Sequence, residues 1–239
     1  MPILLGGLRQ LEYRGYDSAG VALLHPSGAL EVTRTLNRLA GLETKLNQLN
    51  GHALGARVGI GHTRWATHGK ASEENAHPHS SSDGKIAVVH NGIFENFLRI
   101  RLELKGHGLV PRSETDTECF PMLLSHLMSK GQALEDAFPA AVRCMQGKYA
   151  LACVHADHPG KIMLARSGPP LIVGIGEKEY FVASDVGPLL EHTRNVVYLE
   201  DGDVAEVTLA GGLRVFDRDG VPVERAVRRI EWDASAAEL

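Results

Sequence analysis

The apolar positions change texture along the chain, with the change near residue 148. Before it, helical spacings alternate with short apolar runs. Leu4, Leu8 and Leu11 share one face and predict a helix over residues 3–13, with Pro2 well placed at its start. Leu39, Leu42, Leu46 and Leu49 predict another over 38–50, ended by Gly51. Between them, Val21–Leu24 and Leu30–Leu36 flank Pro26–Ser27–Gly28 and read as a hairpin. Val58–Thr63 predicts a short strand, and Ile86–His90 a buried one that ends at Asn91–Gly92. Residues 93–106 read as a helix. Residues 66–83 carry little periodicity and read as a long loop, a type of segment that often carries function.

Thr115 and Glu118 have the spacing of a capping box, so a helix is expected to start near Asp116, with that carboxylate in its first turn. Pro121 then falls beyond the first turn and predicts a kink. Leu134, Ala137, Phe138, Ala141, Val142 and Met145 form an amphipathic stripe interrupted by Pro139. From Lys148 onward the pattern is strands and turns. Tyr149–His155, Lys161–Ala165, Pro170–Ile175, Tyr180–Ala183, Val196–Leu199, Val204–Thr208 and Leu213–Phe216 are the strand candidates, and Ser184–His192 a short helix. Asp201–Gly202, Gly211–Gly212 and Asp219–Gly220 supply turns. Two runs of helices interleaved with two runs of strands predict an α+β fold, most economically a four-layer α/β/β/α sandwich of antiparallel sheets.

Composition narrows the class. A length of 239 residues suits one domain, here 1–232, with the small, polar stretch 233–239 read as the start of a linker. A net charge of −4 offers no basic footprint, so nucleic acid is not expected as a partner. No apolar run approaches membrane-spanning length, and Met1–Leu5 has no signal-peptide character. Cys119, Cys144 and Cys153 follow no metal spacing and read as three buried thiols of a reducing cytoplasm. The twelve histidines match no ligand pattern, so neither a metal nor another cofactor is expected.

Three polar stretches carry the candidate chemistry: Gly61–Gly69, His90–Gly92 and Ser113–Glu118. Arg64 is a planar, two-pronged donor suited to a carboxylate. Asp116 is a carboxylate suited to an ammonium. Asn91 and the Gly92 N–H can together hold a developing oxyanion. A carboxylate, an ammonium and an amide carbonyl are the three functional groups of glutamine, so the chain reads as a glutamine-hydrolysing site. Taken singly, each residue is also an ordinary polar group at an element end.

Five segments then match a known family: Leu11–Gly20 (LEYRGYDSAG), His62–Gly69 (HTRWATHG), Asn75–His79 (NAHPH), His90–Asn96 (HNGIFEN) and Ser113–Glu118 (SETDTE). The chain resembles the glutaminase domain of the glutamine–fructose-6-phosphate aminotransferases, class II amidotransferases with the N-terminal-nucleophile hydrolase fold. The resemblance implies L-glutamine as substrate, with Arg64 on its α-carboxylate, Asp116 on its α-amino group, Thr67 as a hydroxyl contact, and Asn91 and Gly92 as the oxyanion hole. It places Arg14 beside the nucleophile, makes Trp65 the gate of an ammonia channel, and sets His77 near an interface with a sugar-binding half. Unaided, Trp65 and His77 read as a core aromatic and a loop histidine. The family opens on Cys-Gly-Ile, whose thiol is the nucleophile and whose α-amino group is the base, whereas this sequence opens Met1–Pro2 at the first helix. The expectation is a domain without that first strand and without its nucleophile, probing which would give no glutaminase activity; the alternative is a glutamine-binding or regulatory module. The resemblance also implies a C-terminal isomerase half for fructose 6-phosphate and a homodimeric full-length enzyme.

Overall fold

The structure is a computed structural model that describes residues 2–15, 17–48, 55–65 and 69–231. Helix α1 (Pro2–Leu11) runs into a short 3-10 turn (Glu12–Arg14) and then strand β1 (Ser18–Leu24). Strand β2 (Leu30–Thr35) closes the hairpin, α2 (Arg38–Gln48) follows, and β3 (Val58–Arg64) returns beside β1. Then come β4 (His79–Ser80), β5 (Ile86–Phe94), and helices α3 (Phe97–Gly106), α4 (Cys119–Ser129) and α5 (Leu134–Cys144). The last part is all strand: β6 (Gly147–His155), β7 (Lys161–Ser167), β8 (Ile172–Ile175), β9 (Tyr180–Ala183), β10 (Asn195–Tyr198), β11 (Val204–Thr208), β12 (Gly212–Phe216), β13 (Pro222–Val223) and β14 (Arg228–Arg229).

The strands form three antiparallel sheets, ordered β2-β1-β3, β14-β10-β8-β9 and β13-β12-β11-β7-β6-β5-β4. Period-two alternation makes this a layered fold. On β5, Ile86 and Val88 point to a core shared with α3, α4 and α5, while Ala87 and Val89 point to a core shared with both smaller sheets. Strand β6 does the same, with Leu151 and Cys153 on the helical side and Ala150, Ala152 and Val154 on the other. On β1, Ala22 and Leu24 face the large sheet, and Val21 and Leu23 face α1 and α2. The two smaller sheets therefore pack side by side on one face of the large sheet. The α/β/β/α order follows.

Several boundaries differ from the expectation. Strand β5 does not end at His90 but runs through Asn91 and Gly92 to Phe94, in unbroken register with β6 from Ile86↔His155 to Phe94↔Gly147. Helix α3 accordingly starts at Phe97, not at 93. Gly92 tolerates this because it lacks a Cβ: its φ is 123°, and a Cβ there would lie 2.0 Å from the Lys148 carbonyl oxygen. Asp116 is not in the first turn of α4, which begins at Cys119 with no side-chain cap. Glu118 instead accepts the Ser113 N–H at 2.6 Å and closes the segment into a loop. Pro121 is consequently the third residue of α4, where an N–H would have no helical acceptor, and the first α-type bond is Met122 N–H to Glu118 O. No kink is needed there.

Pro139 does lie inside α5. The expected short helix at 184–192 reduces to a 3-10 turn at Gly187–Leu189. The long loop holds β4. The helix end at Gly51 and the linker at 233–239 lie outside the described residues.

Candidate active site

A cavity of about 1280 Å³ opens between α1, β3, the ends of β5 and β6, and β9. Strands β3 and β9 are each the last strand of their sheet, so among the described residues each has a strand partner on one side only. Both line the cavity.

Strand β3 supplies one wall by alternation. Ile60 points into the core between the sheets, so His62 and Arg64, two and four residues on, face the same way. The intervening Gly59 and Gly61 face α1 at close range; a Cβ on Gly61 would sit 2.9 Å from Leu8 Cδ1. That contact seats the helix directly on the strand. Arg64 is 5% exposed. Its Nη2 donates to Gly69 O at 3.3 Å, and its Nη1 lies 4.0 Å from Asp17 Oδ1. The guanidinium thus sits at the cavity wall with a carboxylate beside it.

Strand β5 supplies the second wall. Alternation puts Asn91 on the face of Ala87 and Val89, towards β3, and its Oδ1 lies 2.8 Å from His62 Nε2. The backbone N–H groups of His90 and Phe94 point away from β6: His90 N–H donates to His77 Nδ1 at 3.3 Å, and Phe94 N–H to Asp116 Oδ2 at 2.7 Å. The unbroken register places the Gly92 N–H on that same edge, between the two. Asn91 and Gly92 therefore offer two donors from adjacent residues.

The segment Ser113–Glu118 delivers Asp116, which is 6% exposed. The segment is tied down at nearly every residue. Glu114 N–H donates to Asn75 Oδ1 at 2.9 Å while Asn75 Nδ2 donates back to Glu114 Oε2 at 3.0 Å. Thr115 Oγ1 lies 3.0 Å from His79 Nε2, Thr117 Oγ1 lies 2.9 Å from His90 Nδ1, and Arg101 donates to Ser113 O. Two of the sequence motifs are thus halves of one polar junction.

Beneath Asn91 lies a layer of histidines. His62 and His77 stack with centroids 4.3 Å apart, and His79 meets His77 edge-on at 4.8 Å. Burial lowers the pKa of all three, and of His90, whose ring stacks on Phe94 on the other face of β5: His62 lies below its usual value, His77 well below, His79 falls to about 3 and His90 to about 4. The layer is neutral at physiological pH.

Of the other expected residues, Arg14 lines the cavity from the 3-10 turn, paired with Asp185 and donating to Tyr13 Oη at 2.6 Å. Trp65 is 59% exposed at the cavity rim. His77 is 6% exposed and its contacts run inward. Thr67 lies outside the described residues.

The sequence reading missed His62 and Asp185. The first carried a usable signal, since it precedes Arg64 by two residues on one strand; the second carried none. None of the three cysteines lines the cavity. Cys119 and Cys153 are buried as expected but Cys144 is exposed; partial or full desolvation raises all three thiols, Cys119 to about 12. Among the described residues no group of histidines, cysteines and carboxylates is arranged to hold a metal ion, and no helix is long and apolar enough to cross a membrane.

Residues 62–191 match the family described as a glutamine amidotransferase domain. Curated relatives named glutamine–fructose-6-phosphate aminotransferase [isomerizing], from Methanothermobacter thermautotrophicus and Clostridium acetobutylicum, are 47% and 46% identical over 237 and 236 residues. Each match covers 99% of this chain but 39% and 38% of the relative, so the chain spans about two fifths of their length. Among solved structures, the glutamine phosphoribosylpyrophosphate amidotransferase from B. subtilis matches with a TM-score of 0.73 at 23% identity, over 90% of this chain and 46% of that one. A glutamine aminotransferase class-II domain protein from Silicibacter pomeroyi matches with 0.52 at 15% identity, over 84% and 91%. At those identities the likeness is one of fold.

Proposed function

The chain belongs to the glutamine amidotransferase domain family, and we propose that its cavity binds L-glutamine and releases the amide nitrogen as ammonia. The observation that carries this reading is the convergence on one cavity of a guanidinium at Arg64, a carboxylate at Asp116 and adjacent donors at Asn91 and Gly92. Arg64 pairs with the α-carboxylate of the substrate and Asp116 with its α-ammonium. The carboxamide then lies over Asn91 and Gly92. Thr67 adds a hydroxyl contact, and Arg14 stands beside the attacking group.

The attacking group is a thiolate. It adds to the carboxamide carbon, the carbonyl oxygen becomes an oxyanion facing Asn91 and Gly92, and collapse expels ammonia as the nitrogen takes up a proton. Water then cleaves the thioester to glutamate. Cys119, Cys144 and Cys153 lie away from the cavity and have raised pKa values, so they do not fit this role. An N-terminal cysteine does, because an α-amino group near pKa 8 can take the thiol proton at neutral pH. In this reading it arrives on a strand seated beside β3 and β9, both of them edge strands that line the cavity.

The proposal extends to the whole protein by way of its relatives' name. The ammonia passes Trp65 to a sugar-phosphate isomerase half, near which His77 lies, and there converts fructose 6-phosphate to glucosamine 6-phosphate in a homodimeric cytoplasmic enzyme. Calorimetric titration with L-glutamine tests the binding site. Arg64→Lys keeps the charge but loses the two-pronged grip, and should weaken binding about tenfold or more. Unchanged affinity would remove Arg64 from the carboxylate site.

A further inference from the structure

We propose that His62 is a positioning residue: its Nε2–H donates to Asn91 Oδ1 and so turns the Asn91 amide N–H groups towards the reacting carbonyl. The inference rests on the oxyanion role given to Asn91 above.

An asparagine side chain is ambiguous by itself. Its amide can present either its NH₂ group or its oxygen to a substrate, and only the first stabilises an oxyanion. Presented the other way, it would place a partial negative charge where negative charge develops. Something must choose, and Asn91 Oδ1 lies 2.8 Å from His62 Nε2. An amide oxygen only accepts, so the histidine nitrogen facing it carries the proton. The neutral ring then leaves Nδ1 bare, and that atom is buried with no hydrogen-bond partner among the described residues.

The ring itself is fixed from behind. His77 stacks on it at an interplanar angle of 19°, and His77 Nδ1 accepts the N–H of His90, the residue just before Asn91. One small assembly therefore holds the side chain of Asn91 through His62 and the backbone leading to it through His77. Burial keeps the His62 ring uncharged, so the donor tautomer is not exchanged for an imidazolium at working pH. Support of a reacting donor by a second hydrogen bond is a recurrent way of holding site geometry.

Two readouts test this. The first needs no turnover: ring ¹⁵N spectra of the chain, with the His62 signals assigned by their loss in His62→Gln. The inference expects a protonated Nε2 and an unprotonated Nδ1. An unprotonated Nε2 would mean that Asn91 donates to the histidine and shows its oxygen to the cavity, which overturns it.

The second is glutaminase kinetics in the full-length enzyme. His62→Phe keeps a stacking ring without a donor, and should lower kcat about 10- to 100-fold with KM within about twofold. His62→Gln restores a donor and should recover most of kcat. In an Asn91→Ala background, His62→Phe should cost no more than about twofold further. Slow Asn91→Ala with normal His62→Phe overturns the inference and leaves the oxyanion reading standing; normal Asn91→Ala overturns both.

Discussion

Asp116 Oδ2 accepts the backbone N–H of Phe94 at 2.7 Å, which fastens the loop before α4 to the last residue of β5. The same carboxylate thus has a structural duty and a proposed binding duty, and substitutions separate them. Asp116→Asn keeps an acceptor for Phe94 while removing the charge, so its melting temperature should stay near wild type while glutamine affinity falls. Asp116→Ala leaves a buried N–H unpaired and should also cost about 1–3 kcal/mol in denaturant unfolding. An alanine variant as stable as the asparagine variant would show that the Phe94 bond contributes nothing.

Gly92→Ala tests the strand geometry behind the second oxyanion donor. The φ of 123° is unfavourable for alanine, and its Cβ would meet the Lys148 carbonyl. Strain of this kind is worth roughly 1–3 kcal/mol before any clash is added. A loss of at least about 3 kcal/mol in equilibrium unfolding is expected. A loss below about 1 kcal/mol would mean that β5 does not hold this conformation.

The histidine layer makes a prediction about acid. A histidine whose folded pKa is lowered stays neutral in the fold but binds a proton once unfolded, so its stabilisation is complete above the unfolded value of 6.5 and is lost as pH falls towards the folded value. For His79 the window runs from 6.5 down to about 3, and for His90 down to about 4. His79 alone should then contribute about 2 kcal/mol of the stability lost between pH 6.5 and 5. Thermal melts of wild type and His79→Gln across that range check it. The variant should show the shallower decline, and parallel declines would contradict the assignment.

These positions also mark where the sequence was legible. Leucine spacing in α1 and α2 predicted their buried faces, because amphipathic periodicity is local information. Arg64, Asn91 and Asp116 were legible as chemistry because their residue types match the groups of one small molecule. Their supports were not, because each spans the fold: 29 residues separate His62 from Asn91, and 39 separate Asn75 from Glu114. Gly92 reads locally as a strand end, and only its pairing with β6 turns it into a strand interior. Glu118 reads as a capping partner of Thr115, yet it reaches Ser113 instead, and that choice moved both Asp116 and Pro121 relative to α4.

The central claim is that Asn91 stabilises the oxyanion formed on glutamine. A donor aimed at developing charge favours the transition state over the ground state, so its loss lowers kcat and leaves KM nearly unchanged. The most direct test is the steady-state release of ammonia from glutamine by full-length enzyme carrying Asn91→Ala, with folding verified by its melting temperature. The expected result is a fall in kcat of about 10²–10³, or roughly 3–4 kcal/mol, at nearly constant KM. A folded Asn91→Ala enzyme with near-wild-type kcat would contradict it.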